Sequence, residues 1–350
     1  MTEKSQNPSK RKPSYCELRA GQVVLWCACG QSTNGPFCDG KSHLGSGKVP
    51  VRYRAQADEE VLFCECKHTA TPPFCDGTHS NLPGGYADAP ETVDAEAMPL
   101  VPRDSRGISP LDDSCYVVSP GSVPPSWESE TVRIRPLVTR ELGASHQSQF
   151  HVALDKGRSP LLSAAGDTVV WIAGGKGRAL VGDTAIEIPA MGGLHIGAGV
   201  PFAFEGDEIE AYVSVCPAVA DLEVDDTAWS WRDAKPADDL RTIDEAARVA
   251  MGPRYFQVLM DDRDGLDNAA QFIGHIPLSR ADMHRHLYEE ALIIVSGEGM
   301  IHNPTCRAVV GAGDVIFFPR KVVHSLECTA SEGMDVVGFI YPGTNPGINY

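Results

Sequence analysis

The sequence predicts a mainly β protein: a small cysteine-rich head followed by two β-barrels. Three observations lead there. Cysteine triplets recur at a fixed period within the first eighty residues. From residue 131 onward short apolar runs alternate with Gly, Asp and Pro turns, as at 168–173, 179–181, 211–215, 291–295, 315–318 and 336–341. Evenly spaced short strands of this kind build barrels or sandwiches. The stretch 238–251, with Leu240, Ile243, Ala247 and Met251 at helical spacing, divides that β body into two halves.

The chain of 350 residues is long enough for several hydrophobic cores. Residues 1–14 are polar with no apolar run behind them, so they read as a disordered tail and not as a secretory signal. No apolar run reaches the roughly 18–20 residues of a membrane helix, and the expectation is a cytoplasmic protein. The net charge of −17 argues against a nucleic-acid or membrane-surface partner. That charge is uneven. Residues 1–80 hold ten Lys/Arg against eight Asp/Glu, and the remaining 270 hold 20 against 39.

The head, residues 15–82, contains a repeat of period 37. Cys27-Ala-Cys29 is followed by Pro36-Phe37-Cys38-Asp39-Gly40 and then His43. Cys64-Glu-Cys66 is followed by Pro73-Phe74-Cys75-Asp76-Gly77 and then His79. In Cys-x-Cys on an extended chain both thiols share a face, so one iron can take both. The third cysteine opens an Asp-Gly turn that returns the histidine beside it, for a second iron. A histidine in place of a thiolate raises a cluster's potential and places a group that titrates near neutrality at the iron. Structural zinc is the alternative for three cysteines and a histidine, but zinc pairs usually follow a Cys-x2-Cys spacing. The segment resembles a tandem CDGSH (NEET-type) iron–sulfur domain. That resemblance implies two 2Fe–2S clusters, one held by Cys27, Cys29, Cys38 and His43, the other by Cys64, Cys66, Cys75 and His79. The first motif departs from the pattern by the extra Lys41. His68 reads as a solvated loop residue.

Residues 83–130, rich in Pro, Gly, Ser and Asp, read as a linker. The halves of the β body are 131–220 and 253–350, joined by a segment 221–252 that contains the helix. Gly-Gly-Lys-Gly at 174–177 reads as a turn. In the second half His284-Arg285-His286 precedes Glu290 and Gly297; Gly313 and Pro319 then precede His324. His-x-His on a strand presents both rings on one side, and three histidines with a carboxylate suit a divalent first-row metal with open positions. The spacing resembles both motifs of the cupin superfamily, except that Leu278 stands where a glycine is usual. This resemblance implies two double-stranded β-barrels, with His284, His286, Glu290 and His324 on the metal. Glu289 is the rival carboxylate. Segment 192–204 resembles a second cupin motif without its ligands: Phe202 occupies the histidine position, so the first barrel is expected to be metal-free.

Two redox clusters fused to such a metal site point to a non-haem iron oxygenase or oxidase. It would use Fe(II), dioxygen and a small-molecule substrate, with the clusters as electron supply. His275 and Tyr288 are the candidate catalytic groups, as acid–base or supporting residues, and His302 is a further cavity candidate. Arg285 is expected to face outward. An external reductase and a homodimer are compatible with this reading. Two alternatives stand beside it: a redox- or iron-responsive binding protein, and a redox-independent cupin isomerase or decarboxylase with a structural cluster domain.

Overall fold

The computed structural model describes residues 12–82, 97–111, 115–188, 191–227, 229, 235–237 and 240–350. No helix among them is long and apolar enough to cross a membrane. The tail expected over 1–14 lies outside them up to residue 11, and Ser14 already begins a strand, paired by register to Phe63.

The head is two antiparallel ribbons, Ser14–Leu18 with Glu59–Phe63 and Val23–Trp26 with Val51–Arg54. So few residues bury little apolar surface, and aromatic rings supply most of it. Trp26 and Phe63 are buried, with Phe37, Tyr53 and Phe74 against them. Tyr53 and Phe74 meet edge to face at 4.8 Å, as do Phe37 and Phe63 at 5.3 Å.

The first barrel is built on two fifteen-residue strands, Asp167–Val181 and Phe202–Cys216, paired along their length. Its interior is filled by apolar side chains such as Ile134, Val152, Ile172, Phe204 and Val213. The glycines at 174–177 do not turn the chain; they sit inside Asp167–Val181 as a bulge. A Cβ on Gly177 would lie 2.1 Å from the Glu205 carbonyl oxygen, so the crossing strand can pass there only over glycine.

The second barrel stacks an eight-stranded sheet on a four-stranded one. The large sheet is buried on both faces, which explains its unbroken apolar runs. In Glu289–Ser296 the side chains of Ala291 and Ile293 face the first barrel, while Leu292 and Ile294 face the interior. Val315 and Phe317 against Ile316 and Phe318 repeat the alternation.

Two further readings need revision. The segment 83–130, read as a linker, is ordered in part by packing. Ile108–Pro110 and Tyr116–Val118 form the edge of the large sheet, Tyr116–Val118 pairing with Val315–Phe318. Three-residue strands are too short to show a period, and Pro110 is tolerated because it lies on the edge strand. Trp127–Glu128 joins the first barrel. The helix over 238–251 is absent among the described residues of that stretch, which begin at Leu240. They form Arg241–Thr242, a 3-10 turn Glu245–Ala247 capped by Asp244, and Val249–Met251. Its apolar residues serve different neighbours: Leu240 packs on the first barrel, Met251 on the second, and Ile243 is exposed.

Candidate functional site

Strand parity selects the carboxylate. Glu290 shares the inward face with Leu292, whereas Glu289 points to the first barrel and accepts the Ser145 and His146 N–H groups, both at 2.9 Å. Glu289 is thereby a clamp between barrels. His284 and His324 belong to an isolated bridge rather than to long strands, each N–H donating to the other's carbonyl at 3.0 and 2.9 Å. That bridge sets their rings 4.5 Å apart, and the His286 ring lies 4.9 Å from that of His324.

All three rings are held in one tautomer. His284 Nδ1 donates to the Asp282 carbonyl at 2.8 Å, His286 Nδ1 to Tyr288 at 2.8 Å, and His324 Nδ1 to Val322 at 2.9 Å. Each Nε2 therefore keeps a lone pair, the arrangement that metal-binding histidines use. Burial pushes the His284 pKa down to about 3 and that of His324 well below its ordinary value, so both stay neutral. His286 Nε2 is buried without a hydrogen bond, although Glu290 Oε2 lies 3.2 Å away. Among the described residues no three His, Cys, Asp or Glu side chains form a ready-made metal cage. The tautomers and the orphaned nitrogen nonetheless fit a metal ion, which would supply the partner that His286 Nε2 lacks among the described residues.

These groups line a cavity of about 100 Å³. His275 and Tyr288 line it too. His275 Nδ1 is 2.8 Å from Asp335 Oδ1, and its ring stacks on Tyr255 at 5.3 Å. Tyr288 is buried, stacks on His286 at 4.0 Å and donates to the Pro346 carbonyl at 3.0 Å; burial raises its pKa well above the ordinary value. His302 is outside this lining, buried with Nε2 2.7 Å from Glu327 Oε2. Arg285 is exposed, over the Tyr350 ring. Sequence reasoning missed Arg254, a buried cation on the cavity wall that donates to the Leu326 carbonyl at 3.2 Å. Arg254 shares the buried face of Arg254–Met260 with Phe256, and no local signal says that this face looks inward.

The two cysteine motifs fold alike. Cys27 N–H donates to Pro36 at 2.8 Å and Cys64 N–H to Pro73 at 2.9 Å; Cys38 N–H donates to Leu25 at 2.7 Å and Cys75 N–H to Leu62 at 2.8 Å. The Cys27 and Cys29 sulfurs are 3.5 Å apart, as are those of Cys64 and Cys66. Two sulfurs on one tetrahedral ion at about 2.3 Å would sit ~3.7 Å apart. Cys38 Sγ is 3.3 Å from His43 Nδ1, and Cys75 Sγ is 3.4 Å from His79 Nδ1. Lys41 is thus absorbed in the turn. Backbone N–H groups of Gly40 and Lys67 point at Cys38 and Cys64 sulfurs, as a thiolate requires. Two pairs per motif fit a two-iron cluster. His68 is exposed.

The surroundings of the motifs differ. The second docks on the second barrel: Asn345 donates to the Asp76 carbonyl at 3.0 Å, Arg320 pairs with Glu60 at 2.8 Å beside Lys321, and Tyr15 stacks on Tyr350 at 5.4 Å. Tyr288 lines both the histidine cavity and a cleft of about 320 Å³ that also contains Cys75. Among the described residues, 20–50 make no hydrogen bond, ion pair or ring contact with either barrel. The motifs touch each other through Trp26, whose indole N–H donates to the Cys64 carbonyl at 2.8 Å under Lys67.

A family model described as a cupin domain matches residues 277–339. Over this segment the chain is similar to cupin domains. Solved structures resembling the chain are two-barrel proteins of the same architecture. Procruciferin, the 11S globulin from Brassica napus, is 12% identical over 66% of this chain and 85% of that one, with a TM-score of 0.53. The oxalate decarboxylase–formate complex of Lactobacillus farciminis is 14% identical over 65% and 87%, at 0.52. At such identities the likeness is one of fold. In the head, the CDGSH iron-sulfur domain-containing protein 3, mitochondrial, of Mus musculus is 45% identical over 50 residues, and the Homo sapiens protein is 46% identical over 48. The matches span 14% and 13% of this chain and little more than a third of those relatives' length, 36% and 37%.

Proposed function

We propose that the chain is a non-haem iron-dependent oxygenase or oxidase of a small molecule, with two 2Fe–2S clusters in tandem CDGSH motifs as its electron supply. One observation carries the reading: Tyr288, stacked on His286, walls both the histidine cavity and the cleft that contains Cys75. Iron bound by His284, His286, His324 and Glu290 would supply one-electron chemistry toward dioxygen, and the clusters the electrons.

The chain's own residues prepare that site. The carbonyls of Asp282, Tyr288 and Val322 fix the three imidazoles. Arg254 places a positive charge on the wall, which favours an anionic group on the substrate. The cavity of about 100 Å³ suits a small substrate. Phe256, Phe318 and Leu292 exclude water. His275 is held at the cavity edge by Asp335 Oδ1 and the Tyr255 ring. Tyr288 stays protonated and acts by packing against His286.

The rival is a redox-independent cupin decarboxylase. The oxalate decarboxylases among the fold neighbours and the small cavity with its arginine favour it. The deciding experiment starts from protein made under low oxygen. Expected are two irons and two sulfides per motif, a further iron in the barrel lost in His324→Ala, and substrate-dependent dioxygen uptake across a panel of small carboxylates. Carbon dioxide release without dioxygen uptake would install the decarboxylase instead, and a colourless zinc protein would remove the clusters.

A further inference from the structure

The first cysteine motif lies on an exposed face whose chemistry differs from the rest of the molecule. Residues 19–54 carry five Lys/Arg against one Asp/Glu, in a chain of net charge −17. Lys41, Lys48, Arg52 and Arg54 are exposed and make no ion pair among the described residues. On the outer face of the ribbon Val23–Trp26 with Val51–Arg54, Val23 stands opposite Arg54 and Leu25 opposite Arg52. Nine large apolar side chains of the described residues are exposed, and four of them, Val23, Leu25, Leu44 and Val49, lie within this short stretch. Apolar groups ringed by unpaired cations are the composition of a transient protein interface rather than of a solvated surface.

This face also belongs to the motif. The strand Val23–Trp26 runs directly into Cys27, the Leu25 carbonyl accepts the Cys38 N–H at 2.7 Å, and Leu44 follows His43. The corresponding strand of the second motif, Glu59–Phe63, is covered by Ser14–Leu18 and, through Glu60, by the barrel.

We infer that this face is the docking surface for an acidic one-electron carrier protein, which delivers electrons to the first cluster. The inference rests on the cluster reading for its purpose but not for its test. In the transfer the carrier is oxidised by one electron, the first cluster is reduced by one, and no bond is made or broken. Charge complementarity names the partner. The acidic body of the chain repels an acidic protein elsewhere, so the basic face steers it to this motif.

The test uses the full-length protein and a plant-type 2Fe–2S ferredoxin as the acidic probe. Association is measured by calorimetry at low and high salt, and cluster bleaching by reduced ferredoxin is followed by stopped flow. Expected are binding that weakens with salt, and a loss of on the order of tenfold or more in both affinity and bleaching rate for R52E/R54E. Reduction by dithionite, which needs no docking, stays unchanged. K41E/K48E, on the neighbouring loop, gives the same direction should the ribbon variant fold poorly. Ferredoxin binding that ignores both double variants overturns the inference. So does a concentration-dependent dimer abolished by R52E/R54E, which assigns the face to a second copy. A colourless preparation fails the functional reading above, while the calorimetric arm still decides this one.

Discussion

The two cysteine motifs share one fold and occupy opposite situations. Their backbone hydrogen bonds match to within about 0.1 Å, and their sulfur–nitrogen pairs do likewise. Yet His79 is buried at 2% exposure against the barrel side, while the turn after His43 carries Leu44 at 73%. A repeat fixes local geometry; what packs against each copy fixes its role. The second copy adjoins Tyr288 and the histidine cavity, and the first faces solvent through a basic ribbon.

The largest expected effect separates the copies functionally. Cys75→Ser should abolish substrate-dependent dioxygen uptake. Cys38→Ser should spare single-turnover uptake by protein pre-reduced with dithionite, and slow only reduction by a protein donor. Equal losses in both variants in single turnover would break the asymmetry. A smaller effect compares glycines. Gly40 and Gly77 both have positive φ, so alanine strains either by about 1–2 kcal/mol. A Cβ at Gly77 would also meet Asn345 Nδ2 at 3.3 Å, whereas at Gly40 it meets nothing within 4 Å. Urea unfolding should therefore show the larger loss for Gly77→Ala.

The third prediction concerns pH. Burial lowers the His79 pKa from its ordinary value of 6.5. In cluster-free protein the unfolded chain thus binds the extra proton first as pH falls below about 6.5, and stability drops there until the folded-state pKa is passed. Melting temperature against pH should show that slope, and His79→Gln should flatten it. The smallest effect is Glu60→Gln, which removes the pairs to Arg320 and Lys321. Their partial exposure limits the loss to about 1 kcal/mol or less, read as a slight fall in melting temperature.

Much of this was legible because it is written in spacing. The 37-residue repeat and the short strands of residues 131–350 are local patterns, and the fold follows them. His284, His286, Glu290 and His324 stand out in the sequence by their spacing alone; the bridge that joins His284 to His324, forty residues on, is a tertiary contact that the spacing does not contain. The failures were tertiary. Ile108–Pro110 and Tyr116–Val118 become strands only because Val315–Phe318 offers an edge. Leu240 and Met251 mimic a helix face but are drawn to different barrels. Arg254 could not be placed without knowing which face of its strand looks inward.

The neighbouring carboxylates Glu289 and Glu290 have one consequence beyond chemistry. They do unrelated work on opposite faces of one strand, clamping the barrels and facing the histidines. Deleting a single residue just upstream, at Leu287, would rotate the strand by one step and exchange the two faces. The cavity and the barrel junction would be lost together, so a one-residue deletion here should score worse in a deep mutational scan than substitution of Glu289 or Glu290 alone.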